Sequence, residues 1–423
     1  MAESAILAHP SISTLRPTTA NEVLYDGRAT EVDSGRDCRL RVVARWLPSQ
    51  DVRWIAHFVE PGPWSWSDAA EFRFRLKARS AYSGQEVLGR VSSSGPDTAS
   101  GWMDGGPVGS TQTAVPAVLV RWVNLDDVGG GSWPDRQSWR IGEWIMAVDA
   151  RPDLRAVIRT LKDTRKYAVT HLAVLRRLDE RPFTAEECQP VLTAYQLAGS
   201  FALGRFTSPA LAEARDDGGR LVWREWGARL ADPFGGVTAW WDLATAPMVD
   251  PVRLLGERLL DPKRGRVAKH LAQAYVASNR GGFLEQRITT AFAALELLSW
   301  QRAVLEGGTD PGKHESKRAD QRLRAMLINA KVPIAPLPAH VPALKAFAHD
   351  EGLGDAPKSV AEVRHRLTHP KTLDDVYDRD RLLFEAWLLT VRYLELLILH
   401  WIGYSGRVVD RTKLGWPQLP SRT

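Results

Sequence analysis

The chain has 423 residues, enough for two or three domains with sizeable cores, and its 44% hydrophobic and 25% charged content is that of a soluble globular protein. The net charge of +6 is the balance of 56 basic and 50 acidic residues, so composition admits a polyanionic partner without requiring one. Two cysteines, Cys38 and Cys188, fit no metal-binding spacing and exclude a disulfide scaffold, which suits a reducing cytoplasm.

Residues 1–20 carry no clear period and no basic stretch followed by an apolar run; they read as a loose tail rather than a signal peptide. From there to about residue 150 the dominant period is two. Cys38, Leu40, Val42, Ala44 and Trp46 alternate with Arg39, Arg41, Val43 and Arg45, and Val52, Trp54, Ala56 and Phe58 make a second row. Phe72, Phe74, Leu76 and Ala78 alternate with Glu71, Arg73, Arg75, Lys77 and Arg79, the pattern of a half-buried strand. Further strands are expected at Glu86–Val91, Ala117–Val123 and Trp139–Val148, with turns at Pro61-Gly62-Pro63 and Gly129-Gly130-Gly131. The fold class predicted is therefore α+β multidomain, with an antiparallel, sandwich-like β domain over 21–150. The arginines on its outward rows could form a basic surface for a nucleic acid or another polyanion. The reading preferred is a solvated face with edge-protecting charges, since acidic residues are interspersed.

Residues 151–260 read as a mixed α+β connecting region. Pro152 to about Leu178 is expected to be helical, and the Thr184/Glu187 capping box opens a helix to about Leu203, before Gly204. His171 has no partner by spacing and is taken as structural. After Pro262 the chain reads as all-helical: Val267–Ser278, a long helix from Phe283 to Leu305, then a basic polar connection from Lys313 to Arg324. A helical bundle is thus expected over 261–410, followed by a tail at 411–423. Residues 382–402 are largely apolar but carry Glu385, Arg392, Glu395 and His400. Each charge at a bilayer centre costs about 2.5–3.5 kcal/mol, so this is a buried bundle helix and no membrane partner is expected.

The stretch Ser359-Val-Ala-Glu-Val-Arg-His-Arg-Leu-Thr-His-Pro370 combines a Ser359/Glu362 capping pair, an apolar stripe of Val360, Val363 and Leu367, and a stop at Pro370. Its polar side holds Arg364, His365, Arg366, Thr368 and His369. Arg364 and His369 lie about 140° apart on an unbroken helix, so they do not converge from a straight one. Either the break at Pro370 re-aims His369, or a second copy supplies the facing pair across a two-fold axis. Arginine grips phosphate bidentately, histidine exchanges a proton near neutrality, and RNA brings its own nucleophile in the 2′-hydroxyl.

Arg364-His-Arg-Leu-Thr-His369 resembles the Arg-x4–6-His motif of the HEPN superfamily. The helices around it resemble the ApeA-like branch: an Ala/Leu helix carrying Glu296, an insert, the motif, and a terminal helix ending Leu394-Glu-Leu-Leu-Ile-Leu-His-Trp-Ile-Gly-Tyr-Ser-Gly406. The resemblance covers about residues 262–410. It implies a cytoplasmic homodimer formed through the bundle, acting as an endoribonuclease without metal or other cofactor in a toxin or phage-defence role, with an antitoxin or a phage-derived trigger as a further partner. By the same resemblance Arg364 orients the scissile phosphate and His369 is the general acid/base, supported by His365, Arg366 and Glu296. Lys317, Arg318, Arg322 and Arg324 are candidate RNA contacts, with a solvated loop as the competing account. Two other readings stand beside this one. In the first, the HEPN module is a non-catalytic scaffold or ligand sensor. In the second, His365 and His369, four apart, hold zinc with His340, His349 or Asp374; Arg366 then stands where a metalloprotease needs glutamate, so no metal site is predicted.

Overall fold

The computed structural model describes residues 21–46, 50–61, 70–77, 82–128, 136–235, 239–241, 248–370, 374–412 and 418–420. The tail at 1–20, the turn residues Gly62–Pro63 and Gly129–Gly131, Ala78 and Arg79 lie outside them, as does the side chain of Asp374. The chain divides into two compact units, 1–196 with 207–236, and 197–206 with 237–423.

In the first unit, β1 (Glu22–Glu31), β2 (Asp37–Arg45), β3 (Asp51–Phe58), β4 (Glu71–Leu76), β5 (Glu86–Ser94) and β6 (Thr98–Met103) form a closed barrel in the order β1-β2-β3-β6-β5-β4. The alternation read from sequence is realised: in β4 Phe72, Phe74 and Leu76 are buried while Arg73 and Arg75 face out. The sheet does not stack as a sandwich, because β1, which the sequence reading passed over, pairs with β2 on one edge and β4 on the other, with Ala29 opposite Leu76. Closure removes both free edges. The outward arginines meet carboxylates, Arg39 with Asp26 at 3.0 Å, Arg75 with Glu86 at 2.6 Å and Arg90 with Asp104 at 2.9 Å. A row paired in this way is a solvated face.

Trp54 fills the barrel, its ring 5.9 Å from Phe72 and 5.0 Å from Phe74. Space for it comes from Gly89 and Gly101, which face each other's strands across β5 and β6; a Cβ on Gly101 would fall on the Arg90 carbonyl and crowd the Trp54 indole. Gly101→Ala is therefore expected to cost about 1–3 kcal/mol or more of stability through overpacking, read as a lowered midpoint in thermal denaturation.

The rest of the first unit is an antiparallel seven-stranded sheet, β7-β13-β12-β8-β11-β10-β9. Its strands are β7 (Pro107–Gly109), β8 (Val118–Val123), β9 (Arg136–Ile141), β10 (Trp144–Ala150), β11 (Val169–Arg177), β12 (Ser208–Arg215) and β13 (Leu221–Glu225). The expected single strand at Trp139–Val148 is a hairpin, turning at Gly142 with φ of 57°. The helix expected over Pro152–Leu178 stops early. Helix α1 (Leu154–Thr164) packs Leu154, Val157, Ile158 and Leu161 against Phe234, but Val169–Arg177 is β11, with its first seven residues buried. An apolar run of that length has no period that separates a strand buried on both faces from a buried helix. Helix α2 (Ala185–Leu203) starts as read: the Thr184 amide donates to Glu187 at 2.8 Å, the Glu187 amide donates to the Thr184 hydroxyl at 3.3 Å, and Gly204 follows the last residue with positive φ.

His171 in β11 is 2% exposed with Nδ1 3.1 Å from the Thr170 hydroxyl, and burial, reinforced by the Arg151 charge, holds its pKa down at about 3. An unfolded histidine titrates near 6.5, so below that pH the unfolded chain binds a proton that the native chain refuses. Stability is then expected to fall by about 1.4 kcal/mol per pH unit between pH 6.5 and 3, and to be unaffected by this group above 6.5. Denaturation midpoints at pH 7 and pH 5 check it; His171→Gln should flatten the slope.

In the second unit the described residues hold nine helices: α3 (Val249–Leu260), α4 (Gly265–Asn279), α5 (Leu284–Trp300), α6 (Pro311–Glu315), α7 (Ala319–Asn329), α8 (Pro342–Asp350), α9 (Ala356–Thr368), α10 (Asp374–Tyr377) and α11 (Leu382–Ile402). Helix α5 runs on through a wider π-helical turn at Gln301–Glu306. Helix α11 is the hub, packed by α4, α5, α8 and α9. No helix among the described residues is long and apolar enough to cross a membrane. The charges of α11 point inward: Glu385 accepts from the Leu344 amide at 3.0 Å, Arg392 donates to the Val409 carbonyl at 2.8 Å, and Glu395 accepts from the Tyr275 hydroxyl at 2.7 Å.

Candidate functional site

Helix α9 begins four residues earlier than the Ser359/Glu362 pair suggests. Asp355 is the cap, accepting from the Lys358 amide at 2.9 Å, with Pro357 in the first turn where its missing N–H costs nothing. Ser359 is fully buried and donates to the Asp355 carbonyl at 2.8 Å, while Glu362 serves the helix surface by holding Arg366 at 3.0 Å. Pro370 acts as expected. The helix ends at Thr368, and His369 takes φ −133° and ψ 63° while its amide still donates to the His365 carbonyl at 2.9 Å. His369 thus closes the helix as its last hydrogen-bonded residue.

Arg364 is half-buried. One guanidinium nitrogen donates to Glu296 of α5 at 3.4 Å, the group sits 5.5 Å from the centre of the Phe292 ring, and its Nε is buried without a partner. Glu296 uses its other oxygen to accept from Arg322 of α7 at 3.2 Å. One carboxylate thus ties two arginines from two helices and fixes the direction in which both remaining nitrogens point. Pairs of this exposure contribute little stability and chiefly hold geometry. His365 and His369 are exposed, their rings 5.1 Å apart and inclined at 48°. Thr368 donates to the Arg364 carbonyl at 3.1 Å. The structure therefore assembles Glu296, Arg322 and Arg364, and separately stacks the two histidines, with no hydrogen bond between Arg364 and His369.

Arg366 faces away from that cluster. It donates to Glu351 at 2.5 Å and sits 5.1 Å from the Phe347 ring centre; burial opposes its charge, but Glu351 and Glu362 prevail and hold its pKa above the usual value. The basic connection at Lys313–Arg324 is no loop. Asp310 caps α6, and the Arg318 amide donates to Gln321 at 2.9 Å to open α7. Arg318 pairs with Asp320 at 3.1 Å within the first turn of α7, and Arg324 pairs with Asp355 at 2.6 Å, which ties α7 to the cap of α9. Among the described residues no three His, Cys, Asp or Glu side chains group as a metal site, so His365 and His369 find no third ligand there. Sequence reasoning missed Phe292, whose buried place beneath Arg364 needs the α5–α9 packing to be known.

No solved structure matches the chain. A relative that is 24% identical over 288 residues, the SPbeta prophage-derived uncharacterized protein YopA of Bacillus subtilis (strain 168), is covered over 63% of its own length by 66% of this chain. Residues 110–237, which hold nearly all of the seven-stranded sheet, match the YopA central domain, and residues 261–419, which hold Glu296, Arg322, Arg364 and both motif histidines, match the YopA C-terminal domain.

Proposed function

We propose that the helical unit is a HEPN-type endoribonuclease that cleaves RNA through the 2′-hydroxyl, with Arg364 on the scissile phosphate and His369 as general acid/base. The observation that carries this reading is the contrast within one motif. Arg364 is held by Glu296 and Phe292 with donors to spare, while His369, five residues on at the helix end before Pro370, is exposed to solvent. A fixed cation for phosphate and an exposed imidazole for protons are the two groups that such chemistry needs. The site works as a homodimer in which two α9 ends share one cleft, and the prophage origin of the YopA relative fits a part in phage–host conflict. The test is incubation of the purified protein with RNA in EDTA, followed by end-group analysis. Products ending in 2′,3′-cyclic phosphate support the reading; intact RNA under all conditions removes it.

One observation favours a second reading. Arg364 already spends a nitrogen on Glu296, as a purely structural arginine would. A non-catalytic scaffold predicts that growth on overexpression is unchanged by either Arg364→Ala or His369→Ala.

A further inference from the structure

A cavity of about 200 Å³ lies within the helical unit, between α5, the π-helical turn, α6, α7 and α11. Five of its lining residues carry or can carry positive charge: Arg302, His314, Lys317, Arg322 and His400. None is acidic. Leu298, Met326 and Leu397 form the apolar part of the wall. Two of the five cations are answered from outside the lining, Arg302 by Glu306 at 2.9 Å and Arg322 by Glu296 at 3.2 Å. Lys317 has no ion pair among the described residues, and the Nε of Arg322 is buried without a partner. Positive charge and unspent donors thus converge on a space smaller than the roughly 300–1,000 Å³ typical of drug-sized ligands.

We propose that this cavity binds a small molecule bearing a phosphate group, with Lys317 and Arg322 on the phosphate and the apolar wall against the rest of the ligand. Guanidinium and ammonium groups are the side chains suited to phosphate oxygens, and a low-dielectric wall strengthens their grip. The histidines report the same field. Burial, then the charges of Arg322 and Lys317, push the His314 pKa down against the pull of Glu315; burial, then Arg302 and Lys331, do the same to His400. An arriving anion relieves both. His400 also touches Asn329, 3.2 Å from its Nε2, so the ligand competes with a neutral partner there rather than a carboxylate. The inference does not depend on RNA cleavage.

The test is calorimetric titration of the full chain with ribose 5-phosphate, inorganic phosphate, ribose and a short single-stranded RNA. Ribose 5-phosphate or inorganic phosphate is expected to bind, ribose to give no heat, and Lys317→Glu to weaken binding by at least about tenfold, the loss of one charge-assisted contact. Lys317 is exposed, so this variant should fold, and an unchanged thermal midpoint confirms it; His400→Ala provides a second, independent variant, expected to weaken binding in the same direction. Three outcomes overturn the proposal: no binding of either phosphate probe to the wild-type chain, equal binding by both folded variants, or binding confined to the RNA.

Discussion

Arg364→Ala is expected to lower the RNA cleavage rate by about 10²–10³, the loss found when one preorganised donor is taken from a developing anionic charge. His369→Ala is expected to cost about 10²–10⁴, the usual contribution of a positioned proton-transfer group. Both should leave the thermal midpoint nearly unchanged, because His369 is exposed and Arg364 makes a half-buried pair of small worth. Glu296→Gln tests positioning. It keeps the shape but loosens the anchor shared by Arg322 and Arg364, so the rate should drop without the pH profile moving. Mixing the two alanine variants separates the two geometries open to the motif. If each site draws Arg364 from one subunit and His369 from the other, a mixed dimer regains one complete site and activity returns in part. If both groups act from one chain, the mixture stays inactive. Equal activity of wild type and both variants would end the catalytic reading altogether.

A second large effect concerns the ion cluster beneath α11. Arg411 and Glu395 both have wholly buried side chains. Arg411 donates from Nε to Glu395 at 3.1 Å, from Nη1 to the Asn279 oxygen at 2.9 Å and from Nη2 to the Tyr275 hydroxyl at 3.2 Å, with a further contact to Glu395. Arg411→Ala strands the Glu395 carboxylate with the Tyr275 hydroxyl and a more distant Arg392, 3.8 Å away. Breaking a buried pair from one side costs about 3–5 kcal/mol, because the remaining charge keeps its desolvation penalty and loses its compensation. Thermal denaturation should show a large drop. Arg411→Lys should recover little of it, since an ammonium cannot serve three acceptors in one plane. Replacing both partners, as Arg411→Met with Glu395→Leu, should recover most. A loss below about 1 kcal/mol in Arg411→Ala would mean that water reaches the site.

Helix stops and strand alternation were legible because they are local. Pro370 forbids helix at His369 wherever the chain goes, and Phe72-Arg73-Phe74-Arg75 can bury only one face. Helix starts were less secure. Ser359/Glu362 and Thr184/Glu187 read alike, yet only the second is a cap, since Asp355-Ala356-Pro357 offers a competing start that also brings Arg324 into an ion pair. The arginines of the supposed basic loop could not be sorted by spacing. Arg318 and Arg324 are committed to Asp320 and Asp355, while Lys317 and Arg322 open on a cavity.

Local sequence was enough for the order of β-rich and helical parts, the alternation of the barrel strands and the end of α9, all of which depend on neighbours within a few residues. Tertiary structure alone decided barrel closure by β1, the strand at Val169–Arg177, the choice of Glu296 as the anchor for both Arg322 and Arg364, and the inward turn of Glu395 toward Tyr275 and Arg411. Each of these rests on groups 16 to 136 residues apart or on strand pairing. A charge or an apolar run is neutral about its partner until packing removes the water that would otherwise satisfy it.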